Sequence, residues 1–98
     1  MVYTENSYFE WDEQKNAINI KKHGVNFIDV LLAFSDPNCL IHPDSRHSQS
    51  ENRFHLVGKV NIGIVLVVFA NRGINCRIIS ARKATKKEKE FYGKKTNS

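Results

Sequence analysis

Three strand-patterned runs fill the second half of the chain, and the turns between them are too short to let neighbouring runs lie parallel. In the first, Phe54, Leu56 and Val60 point one way while Arg53, His55 and Lys59 point the other, the pattern of a strand with one apolar and one wet face. Asn61-Ile62-Gly63 then turns the chain into Ile64 to Ala70, an almost continuous apolar run suited to a central strand. Asn71-Arg72-Gly73 turns it again, into Arg77-Ile78-Ile79-Ser80-Ala81-Arg82. Parallel neighbours need crossovers of about a dozen residues or more, so these three runs predict an antiparallel meander.

The last run carries cations on an apolar strand. Strict alternation puts Ile78, Ser80 and Arg82 on one side and Arg77, Ile79 and Ala81 on the other, so each face receives an arginine. Only a β-bulge would bring Arg77 and Arg82 to the same face. A guanidinium is planar, stays charged near neutral pH and matches the geometry of phosphate, which suits a nucleic-acid surface better than a core.

The first half reads as helix. Asp12 caps a segment running to His23, with acids at Asp12 and Glu13, bases at Lys21, Lys22 and His23, and Gly24 as a left-handed stop. His23 reads as a partner of the helix dipole and Trp11 as core. A second helix is expected from Asn26 to Phe34, where Phe27, Val30, Leu31 and Phe34 draw an apolar stripe that needs a sheet to cover it. Ser35-Asp36-Pro37-Asn38 ends it, and Cys39-Leu40-Ile41 forms a short strand before the polar loop Pro43 to Asn52. At the far end Thr85 and Glu88 make a capping box for a short basic helix anchored by Phe91 and Tyr92. The expected fold is α+β, with two N-terminal helices packed on a twisted antiparallel sheet of about four strands. It is one domain over residues 1–98, with a flexible N-terminal arm at 1–7 and a flexible basic tail at 93–98.

Charge narrows the choice of partner. The chain carries 15 Lys+Arg against 10 Asp+Glu, and the excess gathers late. Between Arg72 and Lys95 nine bases face only Glu88 and Glu90, a balance of nine minus two, or +7. Such asymmetry implies an acidic partner, either a nucleic-acid backbone or an acidic protein surface. Cys39 and Cys76 have no zinc-site or disulfide-framework spacing and read as reduced, partly buried thiols. The start of the chain lacks the basic and apolar regions of a secretory signal, and Ile62 to Ala70 is too short to span a bilayer as a helix. A cytoplasmic protein with no membrane role is expected.

Phe9-Glu10-Trp11-Asp12, Lys15, Asn19 and Lys22-His23-Gly24-Val25-Asn26-Phe27 are similar to the opening of BrnT-family toxins. The resemblance continues through Phe34-x-Asp36-Pro37, Arg46-His47-Ser48 and Glu51-x-Arg53-Phe54. It ends in Arg77-Ile78-Ile79-Ser80-Ala81-Arg82-x-Ala84-Thr85 with Glu88 and Tyr92. The chain departs from the pattern at Asn52, where a second acid is expected before Arg53. The resemblance implies the toxin of a bacterial type II toxin-antitoxin pair, with a RelE-like fold and endoribonuclease activity. It also implies a BrnA-type antitoxin partner whose DNA-binding part represses the shared operon.

Metal-free RNA cleavage needs a base for a 2′-hydroxyl, cations for the charge that builds on phosphorus, and an acid for the leaving 5′-oxygen. No carboxylate cluster has metal-site spacing, and no cofactor is expected. Arg53, Arg77 and Arg82 form the expected phosphate clamp. His47 is the first choice for proton transfer, because histidine titrates near working pH, with Glu51 as its orienter or as an alternative base. His55 is the reserve. Arg46, His55, Lys59, Lys83, Lys86 and Lys87 are expected to bind RNA. Two other readings share these features: a non-catalytic nucleic-acid-binding module, and a gyrase-poisoning toxin of the ParE branch.

Overall fold

The computed structural model describes residues 8–44 and 52–96. Eight elements follow in order: strand β1 (Phe9–Glu10), helix α1 (Glu13–His23), a 3-10 helix (Phe27–Ser35), β2 (Leu40–Pro43), β3 (Arg53–Val60), β4 (Gly63–Arg72), β5 (Asn75–Lys83) and helix α2 (Lys86–Thr96). The sheet has five strands in the order β1-β5-β4-β3-β2, one more than expected. β2 through β5 pair antiparallel, β3 to β5 as their short turns require, and Gly63 (φ 119°) and Gly73 (φ 62°) supply the positive φ at those turns. The extra strand is β1, which pairs parallel with β5, Phe9 opposite Cys76 and Glu10 opposite Arg77. It can do so because α1 and everything after it supply the long crossover.

Helix α1 has the ends its sequence encodes. The Asp12 carboxylate accepts from the N–H groups of Gln14 (2.8 Å) and Lys15 (3.2 Å), and Gly24 closes the helix at φ 72°. The two capping bonds to Lys15 and Gln14 outweigh partial desolvation and hold Asp12 below its ordinary carboxylate range. Its buried Asn19 fastens the helix to the sheet. The amide donates to the carbonyls of Val25 (2.9 Å) and Ala81 (2.8 Å), and the Ala81 N–H donates back (3.1 Å).

The second helix is a 3-10 helix rather than the α-helix expected from the stripe at Phe27, Val30, Leu31 and Phe34. Phe27, Val30 and Ala33 are fully buried, whereas Leu31 and Phe34 are only partly so. Spacing by three matches a helix of about three residues per turn, so the buried stripe chose the tighter winding. Close approach to β3 helps: a Cβ on Gly58 would stand 3.0 Å from the Ala33 carbonyl oxygen and 3.1 Å from its Cβ.

The main core lies between these helices and one sheet face. It joins Trp11, Val25, Phe27, Val30 and Ala33 to Leu56, Val60, Val65, Val67, Phe69, Ile78 and Ala81. Phe34 links it to the rings of Phe9 (4.9 Å between centroids) and Phe69 (5.0 Å). Helix α2 lies against the other face, where Tyr92 is buried with Val57 and Leu66. Phe91, expected to share that anchoring, is instead 55% exposed with Lys94 over its ring.

Candidate functional site: a cationic sheet face

The strict alternation expected for β5 does not hold. A register shift between Val68 and Phe69 leaves Ile79 unpaired: Phe69 stands opposite Ile78, and Val68 opposite Ser80. This bulge reverses the parity of everything beyond it. Ile78 and Ala81, expected on opposite faces, both enter the core, while Arg77, Ser80 and Arg82 share the other face. The bulge that alternation required for a joint arginine face is present.

Pairing across β2 to β5 arranges that face in transverse rows, because directly opposed residues project to the same side. One row runs Arg53, Ala70, Arg77, Glu10. The next runs His42, His55, Val68, Ser80, and the third Leu40, Val57, Leu66, Arg82. Arg53 and Arg77 are two strands apart, about 10 Å at Cα, a gap that two long side chains can close. The histidine row lies about 7 Å further along the strands and the Arg82 row about 14 Å. Tyr92 covers Val57 and Leu66 in that last row, so among the described residues α2 packs on this end of the face and not on the Arg53 end.

The charged groups on this face are positioned by partners. Arg77 Nε donates to the Glu10 carboxylate at 3.0 Å, and Asn75 holds the other Glu10 oxygen at 3.1 Å. Arg82 makes a two-pronged contact with Glu88 at 2.8 and 2.9 Å. Glu88 also accepts from the Thr85 N–H (2.8 Å), and the Thr85 hydroxyl accepts from the Glu88 N–H (3.2 Å), completing the expected capping box. Hydrogen bonding to Glu88 raises the Arg82 pKa further, and the same bond holds the Glu88 carboxyl below its usual range against the opposing effect of burial. His55 Nε2 lies 3.1 Å from Oδ2 of Asp44, a carboxylate only 8% exposed. The N–H of Asp44 donates to the Arg53 carbonyl at 2.8 Å, so the β2–β3 ladder continues through it.

Of the residues expected to form the site, Arg53, His55, Lys59, Arg77 and Arg82 share this face. Lys83 does not. It stands opposite Val65, on the parity of the helix-covered side, at the exposed end of β5. Lys86 and Lys87 are exposed in the first turn of α2. Arg46, His47 and Glu51 lie outside the described residues. Sequence reasoning assigned no role to Asp44, Glu10 or Glu88 as orienting groups. Glu88 was in view as a cap, but the others depend on which strands pair.

Neither cysteine is in a disulfide. Burial, with the nearby Glu10 charge, pushes the Cys76 thiol up to about 12, so it stays protonated. A cavity of about 400 Å³ lined by Phe9, Phe34, Phe54, Phe69 and Cys76 sits by the β4–β5 turn, among side chains of the core-facing parity. It is apolar and separate from the arginine rows. Among the described residues, no group of three or more His, Cys, Asp or Glu could hold a metal ion, and no helix is long and apolar enough to cross a membrane.

A small α+β domain whose sheet presents arginines and a histidine–carboxylate pair on one face is equipped to hold a polyanion. Residues 11–88 match the family of BrnT ribonuclease toxins of type II toxin-antitoxin systems. The chain belongs to that family. The family is one of ribonuclease toxins, and a type II system implies an antitoxin partner. No curated protein matches the chain.

Proposed function

We propose that this chain is a metal-independent endoribonuclease of RelE-like architecture. It arrests translation by cutting RNA in the cytoplasm and is neutralised by a BrnA-type antitoxin that carries the pair to its operon. The observation that carries this reading is the bulge at Ile79, which gathers Arg53, Arg77 and Arg82 on the face that also bears His55. Cleavage at phosphorus builds negative charge on the non-bridging oxygens, and pre-positioned guanidiniums stabilise that charge without reorganising. Glu10 and Glu88 orient two of these groups, and a guanidinium has about five N–H donors, more than one carboxylate uses. Lys59, Lys83, Lys86 and Lys87, with Arg46, attract the RNA backbone. His47 and Glu51 belong to the same proposal as further proton-transfer groups.

The test is expression of the chain alone, together with incubation of purified protein with RNA in excess chelator. The expected result is growth arrest, fragmented RNA and chelator-resistant cleavage, all suppressed by a co-expressed BrnA-type antitoxin. Arrest with intact RNA and trapped gyrase would replace this reading with the ParE-like one. RNA binding without cleavage would leave a binding module.

A further inference from the structure

We propose that His55, oriented by Asp44, is the general base that takes the proton from the attacking RNA 2′-hydroxyl. This rests on the ribonuclease reading and adds an acceptor to it. Three observations converge on the pair. Asp44 is a buried carboxylate fixed by a backbone bond in the β2–β3 ladder, and its Oδ2 stands 3.1 Å from His55 Nε2. His55 itself is 39% exposed, so its ring is open to a substrate. Its row also neighbours the Arg53–Arg77 row, about 7 Å away along the strands. A phosphate held between those arginines thus brings the adjoining ribose towards the imidazole.

The Asp44 carboxylate beside Nε2 favours the tautomer protonated on that nitrogen, which leaves the Nδ1 lone pair as the proton acceptor. In the step, Nδ1 accepts the 2′-hydroxyl proton as the 2′-oxygen bonds to phosphorus. The bond from phosphorus to the 5′-oxygen breaks, and that oxygen takes a proton from solvent water. The products are a 2′,3′-cyclic phosphate and a 5′-hydroxyl, with no oxidant or other reagent required. His55 is the catalytic residue here, and Asp44 a positioning residue.

The surroundings supply the controls. From β2, His55 is faced by His42 and Asp44; along β3 lie Arg53 and Lys59; from β5 come Arg77 and Arg82, paired with Glu10 and Glu88. From β4 it meets apolar Val68. His42 is the neighbouring group that could imitate a base in a pH profile.

The experiment is single-turnover cleavage of an RNA oligonucleotide at saturating protein, across pH 5 to 9, with RNA affinity measured in parallel. The parent should show an acid limb, as a general base that must be deprotonated requires. His55→Asn should lower the plateau rate by about 10² to 10⁴ and abolish the limb, with RNA affinity within about threefold of the parent. Asp44→Asn should lose at least about tenfold in rate at similar affinity, since it leaves the imidazole without its orienting carboxylate. His42→Asn should keep both rate and limb. A His55→Asn protein that cleaves at the parent rate overturns the assignment, as does a limb that disappears with His42→Asn or His47→Asn instead. Should His55→Asn fail to fold, a parent profile without an acid limb overturns it equally. A parent that binds RNA and never cuts it refutes the ribonuclease reading, and the base with it, whereas a parent that cuts independently of His55 refutes only the base.

Discussion

Arg82 commits both terminal nitrogens to Glu88, whereas Arg53 and Arg77 flank Ala70 at the end of the face away from Tyr92. The arginines should therefore differ. Arg53→Ala and Arg77→Ala are each expected to lower single-turnover cleavage by about 10² to 10³, the usual cost of losing one transition-state donor. Arg82→Ala should lose activity and stability together, since the Glu88 carboxylate loses its partner. Lys86→Ala or Lys87→Ala should weaken binding and make the salt slope shallower by about 0.7 per lost single-strand contact, with the saturated rate unchanged. Cleavage at saturating protein and salt-dependent binding separate the two behaviours. At the opposite end of the face, Tyr92 Oη donates to the Asp36 carboxylate at 2.6 Å. Burial first, then the bond to Asp36, pushes the Tyr92 phenol up to about 12. Burial alone would raise the Asp36 carboxyl, but bonds from Tyr92 and the N–H groups of Asn38 and Lys59 outweigh it and hold it below 3.8. The signs follow. The tyrosine's share of stability is present below pH 10 and lost as pH rises towards 12. The aspartate's share is present above about pH 4 and lost as pH falls through the depressed value. Tyr92→Phe should cost about 1 kcal/mol at neutral pH and flatten both limbs in urea unfolding followed against pH.

At the scale of elements, the sheet face exists because two segments depart from regular geometry. The bulge in β5 costs one unpaired residue, Ile79, and re-aims Arg82 away from the core. Asn19 fixes the strand just beyond it by bonding both backbone groups of Ala81. The 3-10 helix packs closely on β3 at Gly58, where an added Cβ would crowd Ala33 and Leu56. Gly58→Ala should force the helix outward and cost about 1 to 3 kcal/mol in chemical denaturation, with a lower midpoint. Gly93→Ala, in helix α2 where an added Cβ meets nothing within 4 Å, should instead leave stability unchanged or raise it by up to about 1 kcal/mol. Equal effects at the two sites would show that the close contact with Ala33 does not limit the fold.

Across the whole molecule the two sheet faces have different tasks. One is covered by α1 and the 3-10 helix and holds the main core; the other carries the cations and, among the described residues, is covered at the end where Tyr92 lies. With a net charge of +5 over 98 residues, the proposed capture of RNA is expected to be strongly salt-dependent. An antitoxin that neutralises the toxin is most simply an acidic or helical segment laid over the cationic end away from Tyr92. The purified pair should therefore bind single-stranded RNA more weakly than free toxin, with a shallower dependence on salt. A pair that binds as tightly as the toxin alone, with the same slope, would place the antitoxin elsewhere.

Much of this architecture is local and so was legible in the residues. Asp12 and Gly24 mark the ends of α1, short turns near Asn61 and Gly73 force the meander, the second falling at Gly73-Ile74 rather than at Asn71-Arg72-Gly73, and Thr85 with Glu88 caps α2, because each signal acts over three or four residues. The alternation of Arg53, His55 and Lys59 likewise marked the wet face of β3. Tertiary structure decided what depends on partners distant in sequence. The parallel docking of Phe9–Glu10 on β5 reflects a free sheet edge, which no local pattern encodes. The 3-10 winding puts Phe27, Val30 and Ala33 in the core together, with Ala33 set closely against Gly58 of β3. The shared face of Arg77 and Arg82 hung on a single inserted residue, and period-two reading reverses at such a step while leaving the composition unchanged. Asp44 met His55 through the register of β2 on β3, a relation between two strands rather than a property of either.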